Sequence, residues 1–178
     1  MDEYAHVVNV DGVVARARDE GSGEPDDGTT EHLLVERSAD EGSGEPDDGT
    51  TEHLLVERSA DEDHAAGLLG LPGGKLEPEP GTDHAVEATV VREIEEEVGV
   101  EVGGVEYVCS GTFEGDTGHQ CLNVVTLCEY EGGEAEPRAP EEVAAVHWLT
   151  MDELRAREDV PEFTETYVER AAAVRGSD

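Results

Sequence analysis

From Ala85 onward, the apolar residues Val86, Val90, Val91, Ile94 and Val98 recur at three- and four-residue spacing. That period lays a single apolar stripe along a helix. Thr82 or Asp83 is placed to cap its start, and Gly99 stands where a left-handed residue usually ends one. Glu93, Glu96 and Glu97 fall at i, i+3 and i+4, on one face away from the stripe. Elsewhere the pattern is that of strands. Tyr4 to Ala17 is apolar and β-branched, with turn residues at Asp11-Gly12, and reads as a hairpin or a bent pair of strands. Val105 to Phe113 and His119 to Tyr130 form two arms around Gly115-Asp116-Thr117-Gly118. Val143 to Leu149 is a further short strand. Met151 begins a helical turn, and Phe163 to Val174 a closing helix with Phe163, Tyr167, Val168 and Ala171 on one face.

One segment breaks this alternation. Glu20 to Asp40 is repeated letter for letter as Glu41 to Asp61. Two copies are too few for a solenoid, so the identity points to a recent or engineered tandem duplication. Each copy carries a polar loop and one strand, His-Leu-Leu-Val-Glu-Arg-Ser. The second copy, His53 to Ser59, is the one expected in the sheet, because long structureless loops are uncommon inside compact domains. The other inserts as an extra loop or strand. The length fits one domain over residues 1–178.

Composition narrows the functional classes. The 178 residues carry 46 acidic and 11 basic side chains, a formal charge of −35. Lys75 is the only lysine. Such a surface binds neither nucleic acid nor anionic lipid well. Of two explanations, a disordered acidic chain and a fold adapted to high salt, the periodic helix and the strand patterns favour the second. Cys109, Cys121 and Cys128 have no metal-site spacing and are expected to be reduced core residues. No leader-like start and no run of membrane-spanning length is visible, so a cytoplasmic location is expected.

Carboxylates at i, i+3 and i+4 repel one another by a few tenths of a kcal/mol per pair. Read alone, they are a solvated acidic face. A divalent cation would reverse the sign of that interaction, and Mg²⁺ takes oxygen ligands of this kind. Their context matters more. Leu71-Pro72-Gly73-Gly74-Lys75, followed by Arg92-Glu93-Ile94-Glu95-Glu96-Glu97-Val98-Gly99-Val100, resembles the Nudix box, G-x5-E-x7-R-E-U-x-E-E-x-G-U with U aliphatic. The resemblance extends more loosely over most of the chain. It implies an α/β fold, the Nudix α/β/α sandwich with a mixed β-sheet between helices. It also implies a hydrolase acting on a nucleoside diphosphate linked to another moiety, with Mg²⁺ or Mn²⁺. The composition is similar to that of halophilic archaeal proteins.

By the same resemblance, Glu93, Glu96 and Glu97 are metal ligands together with a carbonyl of Gly73, and Arg92 pairs with and orients a glutamate. Glu142 is a candidate general base, with Glu141 and Glu114 as competitors. Gly74 lets the backbone approach phosphates, Lys75 offers them a point charge, and Arg58, or its twin Arg37, reaches substrate from a strand end. One departure stands out. Gly74 and Arg92 are eighteen positions apart where the family has fourteen, and His84 occupies the place of the first box glutamate. Glu79 and Glu87 are the two candidates to replace it. The signatures of ADP-ribose and dinucleoside polyphosphate members are missing, and the match to the coenzyme A type is loose. A nucleoside triphosphate or a modified nucleotide is therefore the expected small-molecule substrate, bound by a monomer or homodimer. The contrasting expectation is a Nudix domain that binds nucleotide as a sensor without hydrolysis.

Overall fold

The computed structural model describes residues 7–18, 50–60, 65–77, 81–115 and 118–177. Seven strands form one mixed sheet in the order β3-β2-β1-β6-β5, with β4 paired to β1 and β7 to β2. In chain order these are β1 (Val7–Ala17), β2 (Thr51–Arg58), β3 (Leu69–Gly70), β4 (Gly73–Lys75), β5 (Glu101–Glu114), β6 (Gln120–Gly132) and β7 (Val143–Leu149). The helices are α1 (Ala85–Val98), α2 (Met151–Arg155) and α3 (Glu162–Arg175). The pair β1–β6 is parallel and the other pairs are antiparallel.

The period-two pattern of β1 builds both layers. Val10 and Val14 face α1 and pack with Val90, Ile94 and Val98. Val13 and Ala15 face the other way and pack with Leu154 of α2 and Val168 and Ala171 of α3. Leu54 and Val56 of β2 join the first cluster and Leu55 the second, so both faces of the sheet are covered. The architecture is thus the expected α/β/α sandwich.

The structure corrects the reading of β1. There is no turn at Asp11-Gly12; the strand runs straight through, paired with β6 from Val7 to Ala15. Gly12 is there for a different reason. A Cβ at this position would lie 2.7 Å from Ile94 Cδ1 and 2.9 Å from Val90 Cγ2, so the missing side chain is what lets α1 settle on the sheet. The start of α1 also differs. Its N-cap is His84, at φ 54° and without a side-chain cap bond, rather than Thr82 or Asp83. Its end is as the sequence suggests, with Gly99 at φ 71° donating to the Glu95 carbonyl.

The second copy of the duplicated segment supplies β2. Its residues His53, Leu54, Leu55 and Val56 are buried in the centre of the sheet. The first copy, with Arg37, lies outside the described residues. Cys121 and Cys128 are buried, Cys109 is half-buried, and all three are free thiols.

Candidate active site

The site forms where β4 meets the last turns of α1. Gly73 pairs with Asp11 and Gly74 with Val10 across the β1–β4 ladder. This short strand aims its backbone at the helix. The Gly73 N–H donates to Glu97 Oε2 at 3.1 Å. At Gly74 a Cβ would sit 2.4 Å from the Glu93 carboxyl carbon. Gly74 therefore lets Glu93 lie directly against the main chain, whereas a Cβ at Gly73 would run into Val10 and Asp11 of β1.

The three helix glutamates are not equivalent, although their spacing places them on one face of the helix. Glu97 turns inward and is only 8% exposed. Burial pushes its pKa up to about 8, and the charges of Glu142 and Glu93 add to the rise; the Gly73 N–H and the Arg58 charge oppose it. The Glu96 side chain is 62% exposed and that of Glu93 16%. Arg92 holds both, donating to Glu93 Oε1 at 2.7 Å and to Glu96 Oε2 at 2.9 Å. The guanidinium thus fixes two carboxylates at once, a task suited to its planar fork.

Glu142 comes from the loop before β7. Its carbonyl accepts from the Ser59 N–H at 2.9 Å, which anchors the loop to the end of β2. Its charge acts on Glu97, whereas Glu141 and Glu114 are not among the groups that shift Glu97. Lys75 is exposed at the end of β4. Glu87 lies 3.7 Å from His84 Nδ1, and Glu79 is outside the described residues.

Arg58, at the end of β2, acts electrostatically on the buried carboxylate of Glu97 and on Asp11, which is half-buried. Asp11 is a site residue that the sequence reading missed. It accepts a hydrogen bond from Asn123 Nδ2 at 2.9 Å on Oδ2. Burial raises its pKa to about 6, while the Asn123 amide and the Arg58 charge pull it down. With Arg58, Leu69, Leu71, Phe163 and Tyr167, Asp11 lines a narrow cleft on the α3 side of the sheet. A lone acid inside the apolar run Val7 to Val14 was the available signal, but Asp-Gly reads locally as a turn.

A divalent ion can be tested against these residues. Glu93, Glu96, Glu97 and the Gly73 carbonyl are hard oxygen donors, the set that Mg²⁺ and Ca²⁺ take. The raised Glu97 carboxyl, crowded by Glu93 and Glu142, is a group whose charged form a cation would favour. The donors thus fit in kind. Among the described residues, however, no three acidic, His or Cys side chains are already gathered closely enough to hold an ion. Arg92 holds Glu96 on the solvent side.

A sequence model of the NUDIX domain matches residues 45–170. The chain belongs to the NUDIX domain family. The expected enzyme class, Nudix pyrophosphohydrolase, is found within that family, and Nudix hydrolases generally use divalent metal ions. An NAD-capped RNA hydrolase, NudC, from Stutzerimonas stutzeri (strain A1501) is 38% identical over 78 residues. That match covers 44% of this chain but only 26% of the relative. The structure of a MutT NUDIX hydrolase from Burkholderia pseudomallei superposes with a TM-score of 0.62 at 24% identity, covering 92% of this chain and 96% of that one. The NUDIX domain of Shewanella oneidensis NrtR, in complex with ADP ribose, gives a TM-score of 0.65 at 18% identity, covering 98% and 94%. These two likenesses establish the fold. Among the described residues, no helix is long and apolar enough to cross a membrane.

Proposed function

We propose that this NUDIX domain hydrolyses a nucleoside diphosphate linked to another moiety, a nucleoside triphosphate or a modified nucleotide, with Mg²⁺ or Mn²⁺. The observation that carries this reading is the buried Glu97, held by the Gly73 N–H and crowded by Glu93 and Glu142. A carboxyl kept in such surroundings costs stability, so a task for it is the better explanation.

Each residue then has a part. Glu93, Glu96, Glu97 and the Gly73 carbonyl are the ligands. When bound, the ion clamps phosphate oxygens, offsets developing charge and acidifies a water. Arg92 orients Glu93 and Glu96. Glu142 accepts the proton of the attacking water. Gly74 keeps the main chain open to the diphosphate, and Lys75 and Arg58 meet its negative charge or the attached group. Phosphoryl transfer depends mostly on positioning and electrostatics, which this set supplies without a covalent step. The acidic composition supports a cytoplasm of high salt as the working environment, where a Debye length of about 3 Å at 1 M screens the surface.

The test is release of phosphate or pyrophosphate from a nucleotide panel in molar KCl, with and without Mg²⁺ or Mn²⁺. Metal-dependent release supports the hydrolase. Nucleotide binding with no release under any metal would replace it with a sensor domain.

A further inference from the structure

We propose that Arg138 is a positioning residue of the hydrolytic site: the strap from Gly133 to Glu142, which it pins to the end of α1, holds Glu97 and Glu142 at a fixed spacing. The proposal rests on the reading of Glu97 as a metal ligand and Glu142 as the base.

The first observation is a set of main-chain bonds. The last carbonyls of a helix need partners from outside it. The Gly99 N–H takes the Glu95 carbonyl, an ordinary helix stop. Beyond that stop the strap supplies two more donors. The Glu136 N–H donates to the Val98 carbonyl at 3.0 Å, and the Arg138 N–H to the Glu97 carbonyl at 2.8 Å. Glu97 is therefore held at two points, its carboxylate by the Gly73 N–H and its carbonyl by Arg138.

The second observation is the charge at this helix end. The last turn of α1 carries Glu95, Glu96 and Glu97 and no basic residue. Carboxylates there oppose the helix dipole, which favours cations at a C-terminus. Arg138 brings the missing cation from another segment. A Cβ at Gly99 would run into Arg138 Nε and Cζ, so the guanidinium lies against the main chain of the helix stop. Arg138 also has Glu136 Oε1 at 3.5 Å, with its side chain 47% exposed. An exposed pair of that length contributes little, and the helix end is the closer contact.

The third observation is the stiffness of the strap and where it leads. Pro137 and Pro140 flank Arg138-Ala139. They restrict their own backbone and that of the residues before them. Upstream, the Tyr130 hydroxyl donates to the Gly133 carbonyl at 2.7 Å, and Ala135 packs on the core beneath α1. Downstream, the Ala139 carbonyl accepts from the Glu142 N–H at 2.9 Å and the Val143 N–H at 2.7 Å. A short, stiff path thus runs from the Glu97 carbonyl to Glu142. The spacing needs holding because the two carboxylates repel. The charge of Glu142 acts on Glu97, and without a cation an untied pair would relax apart. A site already held in its liganded spacing loses less binding energy to ordering.

Arg138→Ala keeps the peptide N–H and removes the guanidinium at an exposed position, so the variant should fold. The measurement is titration of the full chain with Mn²⁺ alone in molar KCl, followed by nucleotide hydrolysis at saturating Mn²⁺. Mn²⁺ should bind Arg138→Ala about threefold more weakly than the parent, and Arg138→Lys, which returns the charge, should recover most of the loss. The kcat of Arg138→Ala should fall about tenfold, as a small misplacement of reacting groups can cause. KM should stay within about twofold, because Arg138 acts through Glu97 and Glu142 and not on the nucleotide. In a Glu142→Gln background, Arg138→Ala should cost less than about twofold further, since the spacing to the base no longer matters. A plain helix cap would lower the melting temperature and leave the Mn²⁺ affinity and kcat of the folded protein unchanged, and that result would overturn the proposal. So would a lysine variant no better than alanine, or an undiminished effect of Arg138→Ala in the Glu142→Gln background. Failure of the underlying reading looks different. A parent that binds no Mn²⁺ removes the ligand assignment, Glu142→Gln at full rate removes the base, and either takes the role of the strap with it.

Discussion

The Gly73 N–H donates to Glu97 Oε2 at 3.1 Å, and this one bond ties the glycine strand to the acidic helix. It explains why a glutamate at a position that periodicity assigns to solvent is buried instead. The main chain of β4 replaces part of the water that Glu97 loses.

The pH dependence of stability follows. Glu97 has a pKa of about 8 in the folded protein against a reference of 4.5. Below pH 4.5 both states hold the proton and the group is neutral to folding. Between 4.5 and 8 the native state keeps a proton that the unfolded state has released. Stability therefore falls as pH rises through that window, by at most about 1.4 kcal/mol per unit. Glu97→Gln should flatten this dependence. In metal-free buffer the variant should gain on the parent more at pH 8 than at pH 5, as read by chemical denaturation. A constant difference between the two would mean that Glu97 is ionised throughout.

Gly12→Ala tests the close approach of α1. The new methyl would meet Ile94 Cδ1 and Val90 Cγ2 at less than 3 Å. Overpacking of this kind costs about 1–3 kcal/mol, and the melting temperature should fall accordingly. An unchanged melting temperature would show that the helix has room to move.

Much of this architecture is legible locally. The stripe of α1, its stop at Gly99, the strand Val143–Leu149 and the glutamate spacing all lie within short windows of sequence. What is not legible depends on distant partners. Asp11-Gly12 looks like a turn until β6 is seen pairing alongside and α1 packing on top. Glu97 looks solvated until Gly73 comes close. Asp11 becomes a candidate site residue only through Asn123 and Arg58, which lie far from it in sequence. Phe163 shares the helical spacing of Val168 and Ala171, yet it is exposed where they are buried.

The duplication gives a third prediction. Arg18 N–H donates to the Thr50 carbonyl at 2.6 Å, so the ends of the β1–β2 connection already touch. Deleting Glu20 to Asp40 leaves the whole of β2 in place, since Thr51–Arg58 comes from the second copy. Loop closure modestly favours the shorter connection. The deletion variant should fold and retain its activity. An insoluble or inactive product would show that the first copy has a structural part of its own.

The central claim is that Glu96 and Glu97, near the end of α1, bind the metal of a hydrolytic site. Glu95 provides the control, since it lies one position away on the exposed side of the same helix. The most direct measurement is nucleotide hydrolysis and Mg²⁺-dependent melting for Glu95→Gln, Glu96→Gln and Glu97→Gln side by side. Glu96→Gln and Glu97→Gln should each lose about a hundredfold in rate, roughly 2.7 kcal/mol of transition-state stabilisation. Both should also lose the upward shift in melting temperature that a bound ion gives by mass action. Glu95→Gln should match the parent in both respects. Identical behaviour of all three variants would contradict the account.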